Sequence, residues 1–172
     1  MGRVWPRRRR RGRPLDSIAS SHMVAAVPDN VSALARTRPG DVIRHDPDAA
    51  SAALQQLGVD PDSQMAAFFR QFCAVNMLST SSYESLSDPC EPTPQMALGT
   101  RFVREVWGLP DEYVCLTSCE GEGCYLYSTR TGAVYDFELA SRERFLAAPV
   151  ETWRDFNTFI EWFLTPGWKR ES

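Results

Sequence analysis

No stretch of this 172-residue chain approaches the ~20 consecutive apolar residues that a membrane-spanning helix needs. No apolar stretch stands near the N-terminus, where a secretory signal would lie. Both absences lead to the expectation of a cytoplasmic protein that engages no membrane. Histidine is scarce, with only His22 and His45. His45 sits just before a helix start, where a solvated side chain is the ordinary outcome. No Ser-His-Asp or Cys-His constellation can be assembled around it. Glu120-Gly121-Glu122-Gly123 has the glycines of a phosphate loop but not its lysine. It is also too short, and its two carboxylates would repel phosphate. The same stretch offers too few oxygens for calcium. Paired carboxylates suited to glycoside hydrolysis stay open at this level, although acids on a turn are ordinarily just solvated.

The cysteines are Cys73, Cys90, Cys115, Cys119 and Cys124. An odd number, with no secretory signal, argues against a disulfide framework. Cys115, Cys119 and Cys124 are separated by three and four residues. Structural zinc sites prefer tighter pairs and a fourth ligand, which Cys73 or Cys90 could supply. Cys115 lies inside an apolar strand and Cys124 begins another, so strand alternation need not aim the three thiols at one point. The nearest charges, Glu120 and Glu122, would raise a thiol pKa and disfavour a redox-active pair. The five therefore read as reduced thiols, several of them small core hydrophobes. No metal, no cofactor and no catalytic residue is expected.

What is present is a hydrophobic fraction of 43%, enough for a globular core. The length suits one domain and a tail, and such a domain can bury a core without metal or disulfide support. Charge is distributed unevenly. Residues 1–22 hold seven arginines against Asp16, a net of +6; the chain totals −3, so residues 23–172 carry −9. The run Arg7 to Arg11 cannot pack into a core and is expected to be disordered. It reads as a nucleic-acid arm or localisation signal, or as sequence foreign to the domain. Met23 as an internal start, and Ser21-His22-Met23 as a cloning junction, favour the second reading. An acidic domain repels nucleic acid and attracts basic protein surfaces, so no nucleic acid is expected on the folded part.

The boundaries expected are a basic tail and loose lead-in over 1–44, one domain over 45–166, and a short tail over 167–172. Asp46-Pro47 starts a helix that Gly58 ends. Asp60-Pro61 repeats the signal before Met65, Phe68, Phe69 and Phe72, an aromatic stripe suited to a core face. Residues 79–95 read as a loop or insertion. A third helix is predicted from about Pro94 to Trp107, with Gly99 weakening it. Strands follow at Tyr113–Thr117, Cys124–Tyr127 and Ala133–Leu139. In the last, Tyr135, Phe137 and Leu139 face one way and Val134, Asp136 and Glu138 the other, which describes a sheet with one wet face. Thr152 is the predicted cap of a final helix whose apolar stripe is Trp153, Phe156, Ile160, Phe163 and Leu164. The fold class is α+β, an antiparallel sheet with helices packed mainly on one face.

Laid out this way, residues 48–165 resemble the SUKH superfamily, which includes the yeast cell-wall regulator Smi/Knr and many bacterial proteins. The resemblance rests on the helix pair Ala53-Leu54-Gln55-Gln56-Leu57-Gly58-Val59 to Met65-Ala66-Ala67-Phe68-Phe69, the strand block with Gly121 and Gly123 in its turn, and the terminal Trp153-Arg154-Asp155-Phe156-Asn157-Thr158-Phe159-Ile160. The Pro-rich 88–94 stretch and the cysteines depart from the family. The resemblance implies a non-enzymatic binding domain. Bacterial members look like immunity proteins, which bind and block a toxin made by the same cell, often a nuclease. A regulatory scaffold of the Smi/Knr type is the alternative, and a cysteine-ligated metal protein a further one. The partner expected is a toxin with a basic surface. The acids nominated to contact it are Asp111, Glu112, Glu120, Glu122, Asp136 and Glu138; oligomeric state is left open.

Overall fold

A computed structural model describes residues 23–79, 81–90 and 93–167. What was read for the arginine tail and for residues 168–172 lies outside the described residues. The fold is α+β, and none of its described helices is long and apolar enough to cross a membrane.

Four helices come first: α1 (Asp29–Arg36), α2 (Pro47–Gln56), α3 (Gln64–Gln71) and α4 (Gln95–Glu105). The Asp46 carboxylate caps α2 by accepting from the Ala49 N–H at 2.9 Å, as the Asp-Pro signal predicts. The second Asp-Pro does not start α3. Asp60 instead closes a local turn by accepting from the Asp62 N–H, and Ser63 caps the helix at Ala66. The stripe Met65, Phe68, Phe69 and Phe72 is fully buried.

Strands β1 (Tyr113–Cys115), β2 (Gly123–Ser128) and β3 (Val134–Glu138) form an antiparallel meander with β2 in the centre. A short helix α5 (Arg142–Ala147), unforeseen in the sequence, follows one turn of 3₁₀ helix. Helix α6 (Phe156–Leu164) closes the chain. Its cap is Asp155, which accepts from the Thr158 N–H at 2.8 Å, and not Thr152. Trp153 accordingly lies outside the helix, where its backbone bridges Val134 on the edge of β3.

Two expectations are corrected here. The helices do not gather on one face. Val114, Tyr125, Tyr127 and Val134 join the larger core with α1, α3 and α6, whereas Cys115, Cys124, Leu126, Tyr135 and Phe137 join a second core with Val103, Trp107 and Phe145 of the α4 and α5 regions. The sheet is therefore covered on both sides, and of the wet positions foreseen on β3 Asp136 and Glu138 are exposed while Val134 is buried under α6. The lead-in is also no loose segment. Val31 and Ala35 of α1 are buried, and Arg38 donates to the Leu164 carbonyl at the end of α6.

The 79–95 stretch has little regular structure, yet Asp88 pins it to the core. Both Asp88 oxygens accept from the Arg44 guanidinium, at 2.7 and 3.1 Å, and they also accept from the N–H groups of Ala74 and Cys90. Arg44 additionally donates to the Phe69 and Phe72 carbonyls at the C-terminus of α3. Both side chains are almost wholly buried. Burial pushes the Asp88 pKa up, but the Arg44 bonds and the two N–H donors outweigh it and hold the carboxyl below its usual range.

Replacing Asp88 by Asn should strand the buried guanidinium and cost about 3–5 kcal/mol at neutral pH. Because the folded pKa lies below the unfolded one, the stability from this pair is present above the unfolded carboxyl pKa, near 4, and is lost as pH falls through the folded value. Urea unfolding of wild type and Asp88→Asn across a pH series checks both points: the variant should show a shallower loss of stability in acid.

Candidate functional site

Two features collect at the end of the sheet where β2 begins. The first is an acidic groove of about 390 Å³. Its walls include Glu122, Asp136, Glu138 and Glu84. The strand register explains the opening. Gly123 lies opposite Glu138, and Tyr125 opposite Asp136. On this face the α6 layer covers Val134, Tyr125 and Tyr127, so the next positions along β3 emerge into solvent. Glycine is required at the floor: a Cβ on Gly123 would meet the Phe137 carbonyl oxygen at 2.7 Å. Nothing lies within 4 Å of a Cβ placed on Gly121, so only one of the two turn glycines is sterically fixed.

The structure divides the six nominated acids. Glu122, Asp136 and Glu138 share the groove. Glu120 is exposed on a neighbouring hollow with Leu98, Phe102 and Cys119. Asp111 and Glu112 precede β1 and sit at the far end of the sheet, where Tyr113 pairs with Ser128. Gly123 and Ser128 are separated by roughly 16 Å of strand, at about 3.3 Å per residue. Glu112 is occupied there, accepting from Ser128 Oγ at 2.8 Å and from Arg130 Nε at 3.2 Å.

Glu84 was missed by sequence reading, because it lies in a stretch taken as an insertion. Two backbone pairings bring it in. Leu86 bridges Thr117, and the Ser87 N–H donates to the Leu116 carbonyl at 2.7 Å. Partial burial raises the Glu84 pKa, and the charge of nearby Cys119 raises it further. Tyr83, beside it, is 82% exposed and has left-handed backbone (φ 59°). A bulky residue rarely adopts that conformation without a reason in the surrounding structure.

The second feature is a cluster of thiols. The Sγ atoms of Cys115, Cys119 and Cys124 all lie within 4.8 Å of one another, and Cys115 and Cys119 approach to 3.2 Å. Strand alternation gave no reason to expect the three at one point, and the structure brings them together. Cys115 and Cys124 share one face of the sheet on neighbouring strands: Cys115 pairs with Leu126, and Cys124 is two residues along β2 from it. The turn between the strands then folds Cys119 back over both. The Cys115 N–H, on the free edge of β1, is satisfied by the buried Thr100 hydroxyl of α4 at 3.0 Å. Gly99, one residue earlier, leaves room for the sulfurs: a Cβ there would stand 3.4 Å from Cys115 Sγ and 3.5 Å from Cys119 Sγ. Hydrogen bonds from Cys115 and then Cys124 lower the Cys119 pKa, while Cys115, bonded to Cys119, and Cys124, bonded to Cys115 and then Cys119, are pushed up, with burial adding to both. The expectation that nothing nearby lowers a thiol pKa overlooked the other thiols as donors.

Cys73 and Cys90 lie elsewhere, half-buried around Arg44, and Cys90 Sγ accepts from Arg44 at 2.9 Å. His45 is solvent-exposed beside Asp41.

No protein-family model matches this chain, and no curated protein or solved structure matches it significantly.

Replacing Gly123 by Ala should force β2 away from β3 at the groove floor and destabilise the protein by about 1–3 kcal/mol. Gly121→Ala should stay within about 0.5 kcal/mol of wild type. Thermal and urea unfolding of the two variants side by side tests this, since both change the same turn by one methyl group.

Proposed function

We propose that this chain is a non-enzymatic protein-binding domain whose acidic groove receives a basic partner, and that it serves as an immunity protein neutralising a bacterial toxin. The observation that carries the reading is the convergence of Glu84, Glu122, Asp136 and Glu138 on one groove. Carboxylates gathered along one concave surface steer an approaching cationic surface. Tyr83, exposed beside Glu84, supplies the aromatic surface that interface hot spots favour. The resemblance to SUKH immunity proteins supports the toxin as the partner. The −9 charge of residues 23–172 suits a nuclease, whose own groove must be basic to hold nucleic acid. Of the nominated contacts, Glu122, Asp136 and Glu138 are retained at the centre and Glu120 at the margin. Asp111 and Glu112 belong to a different part of the surface.

The test is capture of partners from the source organism by the wild type and by the triple variant Glu122→Gln, Asp136→Asn, Glu138→Gln. Wild type should retain a basic protein, more weakly as salt rises. The triple variant should bind it at least ~10-fold more weakly through slower association. Glu112→Gln should be unchanged. Equal capture by wild type and triple variant would remove the groove from the interaction. Recovery of several cellular proteins, none toxic when expressed alone, would favour a regulatory scaffold.

A further inference from the structure

The thiol cluster has a chemistry of its own, distinct from that of the groove acids. Three sulfurs from two adjacent strands and their connecting turn converge on one point, with two of them buried and Cys119 half-exposed. We infer that Cys115, Cys119 and Cys124 form a site for a single thiophilic metal ion, with zinc(II) as the ion that fits best.

The distances suit it. Thiolates bound to a common zinc at about 2.3 Å stand roughly 3.8 Å apart in a tetrahedral arrangement. The cluster, with all separations below 4.8 Å and the shortest at 3.2 Å, needs only small side-chain rotations to reach that geometry. The ligand set is all sulfur, which selects zinc, copper(I) or an iron–sulfur centre over magnesium, calcium or manganese. Three ligands are too few for an iron–sulfur cluster held by four cysteines. Charge separates the remaining two. Three thiolates with zinc(II) leave a net −1, whereas copper(I) leaves −2. Glu120 follows Cys119 directly and borders the same hollow, so further negative charge is disfavoured here. The fourth zinc position would fall to a water or other small donor entering past Cys119, which borders the open hollow with Ser118 and Glu120. On binding, the thiols give up their protons to the buffer.

The surroundings are arranged around these sulfurs. Gly99 is a costly residue for a helix interior, by about 1 kcal/mol relative to Ala. A Cβ there would rest in ordinary van der Waals contact with Cys115 and Cys119, so this turn of the helix packs directly on the sulfurs. The helix carrying it is tied to Cys115 through Thr100, which fixes one ligand's backbone.

The test uses the full chain, purified and kept reduced by a phosphine. Cobalt(II) titration should give a sulfur-to-metal charge-transfer band that saturates at one ion per chain and is displaced by zinc(II). Cys119→Ser, the half-exposed position and so the substitution gentlest to the fold, should lose most of the band while keeping the wild-type circular dichroism. Cys73→Ser and Cys90→Ser should retain it in full. X-ray absorption on the zinc-loaded wild type, which needs no variant, should report three sulfur neighbours. Metal analysis of the protein purified without added metal should find zinc rather than copper, at up to one ion per chain; copper in its place would overturn the choice of ion. Absence of the band in the reduced wild type, a band equally sensitive to Cys73→Ser, or fewer than two sulfur neighbours would overturn the site itself. A Cys115–Cys119 disulfide in air, together with no metal uptake after reduction, would do the same.

Discussion

The structure depends on one strand being buried on both faces. A three-stranded antiparallel sheet with strands of three to six residues has little stability alone. It persists here because β2 gives every side chain from Cys124 to Ser128 to protein surroundings. Tyr125 and Tyr127 pack into the aromatic layer of α3 and α6, and Cys124 and Leu126 into the layer of α4 and α5. A slip of one residue would exchange these sets and place large rings where the thiols now fit, so the register is fixed from both sides. The two layers do not extend equally along β3, however. The α6 layer ends at Val134, and that single shortfall opens the floor between Gly123 and Glu138.

The Arg44–Asp88 pair does for the irregular part what β2 does for the sheet. A buried ion pair is a weak source of net stability, because desolvating two charges offsets their attraction. Its contribution here is better described as placement. One guanidinium joins the strand-like entry to α2, the carbonyls at the end of α3 and the stretch around Asp88. From Asp88 the chain runs back through Ser87 and Leu86, which pair with Leu116 and Thr117, to Glu84 at the groove. An acid on an irregular segment is thereby brought to the same groove as those on the strands.

Much of this was legible in sequence, and the failures have physical causes. The aromatic stripe of α3, the three strands and the alternation that exposes Asp136 and Glu138 follow from periodicity, which reports burial directly. Capping was legible where side chain and sequence context agree, as at Asp46. It misled where two oxygen-bearing residues compete: Asp60 or Ser63, Thr152 or Asp155. Helix α5 is six residues long with none fully buried, too short to show a period. In α1, Val31 and Ala35 do stand four apart, but Pro28, Pro39 and Gly40 dominate the composition around them. The second helical layer was missed because the wet positions of β3 were extended to the whole sheet. The thiol cluster lay beyond reach for another reason: strand alternation says which face Cys115 and Cys124 share only once the register is known, and it says nothing about a turn residue such as Cys119.

Charge then gives the two ends of the sheet different characters. At the Ser128 end, Arg130 and the Ser128 hydroxyl satisfy Glu112, and the local field is small. At the Gly123 end, Glu84, Glu122, Asp136 and Glu138 surround the groove, and Cys124 contributes to its lining. The most acidic thiol, Cys119, adds to the same field, which is why the Glu84 pKa rises from both burial and that charge. Acids and sulfurs are thus parts of one electrostatic environment, built from opposite faces of β2 and its turn. Positive charge brought to that end, whether an ion at the sulfurs or a basic side chain in the groove, relieves the same repulsion. The Gly123 end of the sheet, where four carboxylates and a thiol cluster lie close together, is consequently the end at which a cation meets the more negative field.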